Sequence, residues 1–144
     1  MPLVTRNTPK LTLEGARAVL AAAEQRAREI SVPMNIAVVD DAGYLVTFVR
    51  MDGAKISSVQ IAITKAEAAA IRRAPTGPVM EGDRPNVVLS LGLAVASHAR
   101  QTPIRGGIPL VVDGQVVGAI GVSAGTEDQD VDVARAGAAA LEKA

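Results

Sequence analysis

Residues 103–130, PIRGGIPLVVDGQVVGAIGVSAGTEDQD, constrain the fold more tightly than any other stretch of the chain. Two β-rich apolar runs flank Asp113-Gly114. That pair favours a two-residue hairpin turn, because both central positions of a type I′ turn need positive φ. Gly106-Gly107 leads into the first run, while Gly118, Gly121 and Gly125 punctuate the second and the passage to a C-terminal helix. Glycine weakens a strand interior and marks a bulge or a close approach to the backbone. The expectation is a hairpin whose glycine-bearing rim leaves main chain open to a guest.

An earlier hairpin is expected at 34–51, with strands Met34 to Val39 and Tyr44 to Met51 joined through Asp40-Asp41-Ala42-Gly43 and closed by Asp52-Gly53. Around the hairpins the apolar residues recur at three- and four-residue steps, the mark of helices burying one stripe. The first helix starts after Thr12, a good N-cap, and buries Leu13, Ala16, Leu20, Ala23, Ala27 and Ile30; Arg17, Glu24, Arg28 and Glu29 lie off that stripe, towards solvent. Ser57 or Ser58 caps a second helix, running to about Arg73 with Val59, Ala62, Ala66, Ala69 and Ala70 inward. Pro75 to Pro85 reads as a loop, Asn86 to Ala99 as a short apolar helix, and Glu127 to Leu141 as a final helix capped by Thr126.

The predicted fold class is thus mixed α/β (α+β): one antiparallel sheet of about four to five strands in two hairpins, covered by helices. Residues 1–11 form a polar leader and 12–144 a single domain. Val38-Val39, Val111-Val112 and Val116-Val117 place apolar neighbours on opposite sheet faces, whereas a sheet with one wet face alternates cleanly. Either helices cover both faces or a second subunit covers one, and the small number of helices favours a homo-oligomer.

Equal numbers of basic and acidic residues, 15 of each, and only Tyr44 and Phe48 as aromatics leave neither a basic footprint nor a base-stacking platform, so no nucleic-acid partner is expected. No cysteine and one histidine exclude thiolate nucleophiles, cysteine-ligated clusters and two-histidine metal sites; no metal is expected. Residues 1–10 lack the apolar run of a secretory signal and no run reaches membrane-spanning length. A cytoplasmic location without a membrane partner follows as the expectation.

The stretches Asp40-Asp41-Ala42-Gly43-Tyr44-Leu45, Arg50-Met51-Asp52-Gly53-Ala54, Ser57, Lys65-Ala66, Gly106-Gly107-Ile108-Pro109, Val117 to Ser123 and Gln129-Asp130 stand in an order that resembles the GlcG/HbpS-like proteins, a family that includes the C-terminal domain of PduO-type adenosyltransferases. The resemblance covers residues 11–144 and is most specific in GGIPLVVDGQVVGAIGVS followed by QD. It implies a profilin-like antiparallel sheet, assembly from dimers up to octamers, and a small-molecule-binding accessory role. The implied ligand is haem or a small organic acid of a catabolic pathway. An acid/base enzyme (isomerase or lyase) on a hydroxy- or oxo-acid and a non-catalytic assembly subunit are the alternatives.

Individual residues carry these readings unequally. His98 is the one imidazole available to haem iron, and Met51 offers a thioether; a helix-end histidine and a packing methionine are the structural alternatives. Arg50 and Arg105 each present a planar fork suited to a carboxylate. Asp52 is the candidate proton-transfer group, or simply the turn residue that Gly53 suggests. Lys65 would point an amine at a bound acid, or into solvent. Gly106 and Gly107, with Gly121, Ser123 and Gly125 opposite, would offer backbone N–H groups to an anion ahead of the last helix, or serve as tight turns. GxxxxGK[ST] and GxGxxG are absent, which removes the P-loop and dinucleotide readings.

Overall fold

Both hairpins form, and they lie side by side. The first pairs β1 (Asn35–Asp40) with β2 (Leu45–Arg50), the second pairs β5 (Gly107–Val112) with β6 (Gln115–Ser123), and β1 joins β6, so one antiparallel four-stranded sheet runs β2-β1-β6-β5. Asp113 (φ 51°) and Gly114 (φ 73°) both adopt the positive φ that their turn demands. The computed structural model describes residues 1–142, so residues 143–144 of the expected domain lie outside it.

Four helices complete the fold: α1 (Leu13–Glu29), α2 (Val59–Arg72), α3 (Val87–Ala96) and α4 (Glu127–Ala139). Thr12 caps α1 by accepting the Gly15 N–H, and Thr126 and Gln129 form a capping box on α4. No side chain caps α2, which is entered through a short 3₁₀ turn at Ile56–Ser58. The segment read as a loop between α2 and α3 contains two-residue strands, β3 (Met80–Glu81) and β4 (Arg84–Pro85), paired around Gly82 at φ 62°.

Helices α1 and α4 pack together on one face, over Ile36, Val38, Ile120 and Val122; α2 covers the other, with Ala62, Ala66, Ala69 and Ala70 over Ala37, Val39 and Ala119. In α1 the buried stripe is Ala16, Val19, Ala23 and Ala27, while Leu13 is exposed. Val38 and Val39 are both fully buried, one under each helical layer. The chain's own helices therefore account for this valine pair, and it requires no second subunit. Among the described residues, no helix is long and apolar enough to cross a membrane.

Helix α3 is the exception to this layering. It makes no substantial packing contact with another helix or strand, and Ser90 is its one buried residue. Val88 (84%) and Val95 (79%) are almost as exposed as in an unfolded chain, and Val87, Leu89 and Leu91 are exposed beside them.

Candidate functional site

The sheet has two ends, and the predicted residues divide between them. At one end β2 stops at Arg50, β6 stops at Ser123, and β5 begins at Gly107. At the other lie the turns Asp40–Tyr44 and Asp113-Gly114, the C-terminus of α2, and the chain leaving α3 through His98 and Arg100.

The glycine rim is closed. A Cβ on Gly121 would overlap the Ala62 carbonyl oxygen and the Ala66 amide; one on Gly107 would overlap the Lys65 carbonyl, and one on Gly118 the Val39 carbonyl. These glycines let α2 and the strands approach at backbone distance, and Gly106, Gly107 and Gly121 are buried in consequence. They offer no main chain to a guest. Ser123 is buried as well, at the β6 position paired with Asn35.

The two loops expected to form an anion clamp are neighbours, but the protein's own carboxylates fill the space between them. Gly125 N–H donates to Asp130 Oδ1 (3.0 Å), Arg105 Nη1 is paired with Asp128 (2.9 Å), and Thr126 N–H donates to Gln129 Oε1 (2.9 Å). Glu127, Asp128 and Asp130 already complement the dipole of α4. An incoming anion would meet three carboxyl groups, two of them already paired with Arg105 and Lys65.

Lys65 does not reach solvent. Its ammonium donates to Asp130 Oδ2 (2.9 Å) and to the Val122 carbonyl (2.8 Å), with both side chains buried. This ion pair ties α2 to β6 and α4 beneath Gly106. Burial pushes the Asp130 carboxyl above its ordinary 3.8, and the Lys65 ammonium and the Gly125 N–H only partly offset that. The two partners lie 65 positions apart, so no local pattern links them.

Arg50, Met51 and Asp52 do come together, around a hollow of about 360 Å³ whose other wall is α1. Glu24 and Arg28, read from the sequence as a solvated face, line it and are paired at 2.6 Å. Arginine and carboxylate thus stand on both walls, with Val49 and Met51 between them. The Met51 sulfur accepts the Met34 N–H (3.4 Å) and packs on the α1/α4 core, which ties down one side of the thioether. Nearby, Asn35 donates to the Lys55 carbonyl (2.8 Å), but its own Oδ1 is buried without a partner.

His98 lies at the opposite end. It is exposed, at φ 53°, in the turn that follows α3, and the Ala99 next to it is also left-handed. Two residues on, Arg100 is fastened to Glu67 and to the Ala42 carbonyl. Six strand residues therefore separate the His98 end from Met51, roughly 20 Å at about 3.3 Å per residue. One iron cannot take both as ligands.

Residues 11–139 match the family described as haem degrading protein HbpS-like. The chain belongs to the HbpS-like family. Protein GlcG of Escherichia coli K12 is 38% identical over 113 residues, covering 78% of this chain and 81% of GlcG. The crystal structure of Klebsiella pneumoniae protein ORFY superposes with a TM-score of 0.83 at 31% identity, over 99% of both chains. That of a PduOC:heme complex gives a TM-score of 0.79 at 26% identity, over 92% of this chain and 95% of the other. The expected kinship and the mixed antiparallel fold both hold.

Proposed function

We infer that this HbpS-like chain is a haem-binding accessory protein and that haem docks on the outer face of α3. The observation that carries the reading is an uncharged helix left unpacked, with the single imidazole of the chain at its C-terminal end. Val88, Leu91 and Val95 recur at steps of three and four, so they form one exposed stripe. Apolar stripes on a surface mark binding sites. These residues fit the group: the stripe suits an apolar macrocycle, and His98 supplies the commonest axial nitrogen. The haem structure of a relative and the family description support the same ligand. When bound, haem would contribute its redox-active iron, and the chain contributes the imidazole and an apolar bed.

A single α3 covers one face of a flat ligand. On that ground we propose that the chain works as a homo-oligomer, between a dimer and an octamer, in which a second copy covers the other face.

A haemin titration followed in the Soret band tests the ligand. The expected result is a saturable shift that weakens strongly in His98→Ala and in Val88→Asp, and is unchanged in Met51→Ala. No shift at micromolar haemin, or a His98→Ala titration that overlays the parent, refutes the reading.

The hollow at Arg50 favours a second reading, an acid/base enzyme or binder for a small hydroxy- or oxo-acid. Arg50 would hold the carboxylate and Asp52 would move the proton. A thermal-shift screen of 2-hydroxy and 2-oxo acids checks it: stabilisation should vanish in Arg50→Ala, and turnover, if seen, in Asp52→Asn.

A further inference from the structure

A hollow of about 700 Å³ belongs to neither reading. It lies at the turn end of the sheet, between the leader, the Asp113-Gly114 hairpin and the C-terminus of α2, and its polar lining includes Thr5, Thr8, Lys10, Asp41, Arg73 and Gln115. Its volume falls within the range of small-molecule sites.

Arg73 is the unusual residue here. It ends α2 in the left-handed conformation (φ 56°, ψ 33°), which glycine usually supplies where a helix ends this way and which a side chain adopts at a cost. The side chain is nonetheless held in place. Nη1 donates to the Asp41 carbonyl (2.5 Å) and the Ala70 carbonyl (3.0 Å). Among the described residues, Nε and Nη2 have no protein acceptor. One edge of the guanidinium is fixed to the frame while other donors stay free, which suits it to hold a carboxylate or phosphate edge. Across the hollow, Lys10 is paired with the Asp41 carboxylate at 3.2 Å. Two cations and one anion leave the charged lining with a net charge of +1, within a chain whose overall charge is zero.

We propose that this cleft is a binding site for a small polar oxyanion, with Arg73 as the anchor and Lys10 as the second positive charge. Thr5, Thr8 and Gln115 supply neutral donors around it, and Asp41 sets the charge balance, admitting a singly charged group more readily than a polyanion. Carboxylate and phosphate share the required chemistry.

The test titrates the full chain with sodium acetate and, separately, sodium phosphate, following side-chain and backbone amide shifts by NMR. The expected result is saturable binding at millimolar concentration, with perturbations centred on Arg73, Thr8 and Gln115; the anion that binds more tightly identifies the source chemistry. Arg73→Gly is the decisive variant, since it removes the fork while suiting the left-handed backbone. It should weaken binding by about tenfold or more, the loss of a charge-assisted pair, with a folded spectrum and no lower thermal midpoint. Asp41→Asn should tighten binding severalfold by removing the repelling charge. Equal affinity in Arg73→Gly and parent, or no saturable response to either anion, overturns the proposal. Haemin binding is expected to be untouched by Arg73→Gly, so failure here and failure of the α3 reading are told apart.

Discussion

Helices α2 and α3 reverse what their compositions suggest. Helix α2 carries Lys65, Glu67 and Arg72, yet six of its residues are buried; α3 carries no charge at all, yet only Ser90 is buried. The difference lies in what each helix meets. Alanines on α2 face glycines on the sheet, so the two backbones come into contact and even a lysine is enclosed, with Asp130 to neutralise it. Val87, Val88, Leu89, Leu91 and Val95 on α3 stay exposed. Apolar character states what a helix can bury, and burial follows only where a complementary surface exists.

The largest expected effect comes from spoiling that complementarity. In Gly121→Val the new Cβ would overlap the backbone of α2, which no side-chain rotation can relieve. Helix α2 must lift from the sheet and open the cluster around Ala37, Val39 and Ala119. We expect a loss of more than about 4 kcal/mol, at the extreme of single substitutions. A chemically stable, soluble variant with a parental urea midpoint would show that the helix is not seated on the strand.

Next in size is Lys65→Met, which removes one member of the buried pair and leaves Asp130 alone. The expected loss is about 3–5 kcal/mol at neutral pH. The pH dependence sharpens the test. Burial already holds the Asp130 carboxyl above 3.8, so its protonated form favours the native state. That contribution is full below the unfolded value and disappears as pH rises through the folded one. Without the ammonium the folded value climbs further, so the variant should lose stability more steeply than the parent from about pH 4 towards neutrality. Urea midpoints across that range measure the slope; parallel curves would mean that the carboxylate is solvated.

How much of this was legible from residues alone depends on distance along the chain. Both hairpins and the ends of α1 and α4 are written locally, in Asp113-Gly114, Asp40–Tyr44, Thr12 and Thr126. Gly121 marks a close approach, but what approaches is Ala62 of α2, and contact between a strand and a distant helix has no local signature. Lys65 reads as an amine for a bound acid or for solvent, whereas its partner is Asp130, which stands on another helix. The Arg50-Met51-Asp52 corner was readable because its members are consecutive; Glu24 and Arg28 complete the hollow from α1, where periodicity places them on a wet face. Arg73 reads from the sequence as the end of the second helix, and only coordinates reveal its left-handed backbone.

A smaller effect is expected where α3 joins the body. The Ser90 hydroxyl accepts the Val79 N–H (2.9 Å) and donates to the Asn86 carbonyl (2.7 Å). Ser90→Ala leaves that amide without its acceptor, at about 1 kcal/mol. The loss should be local: hydrogen exchange should quicken across Val79 and α3 while the sheet stays protected. Uniform quickening would make α3 part of the cooperative core, and the contrast with α2 would fail.

The smallest effect on folding carries the most information about α3. Val95 is 79% exposed, so Val95→Asp should change the stability of an isolated chain by no more than about 0.5 kcal/mol. Asp at the C-terminal end of a helix is itself mildly unfavourable through the dipole, which sets the sign as a slight loss. If a second copy rests on α3, the same charge must instead be buried or the contact abandoned, and the cost then depends on protein concentration. Thermal midpoints of parent and variant measured over a wide dilution series separate the cases. Midpoints that differ little at every concentration place the valine stripe in solvent in the ligand-free protein. A gap that widens with concentration, accompanied by a smaller species on a sizing column, would show that α3 is the seam between copies, and that its apolar stripe is covered after all.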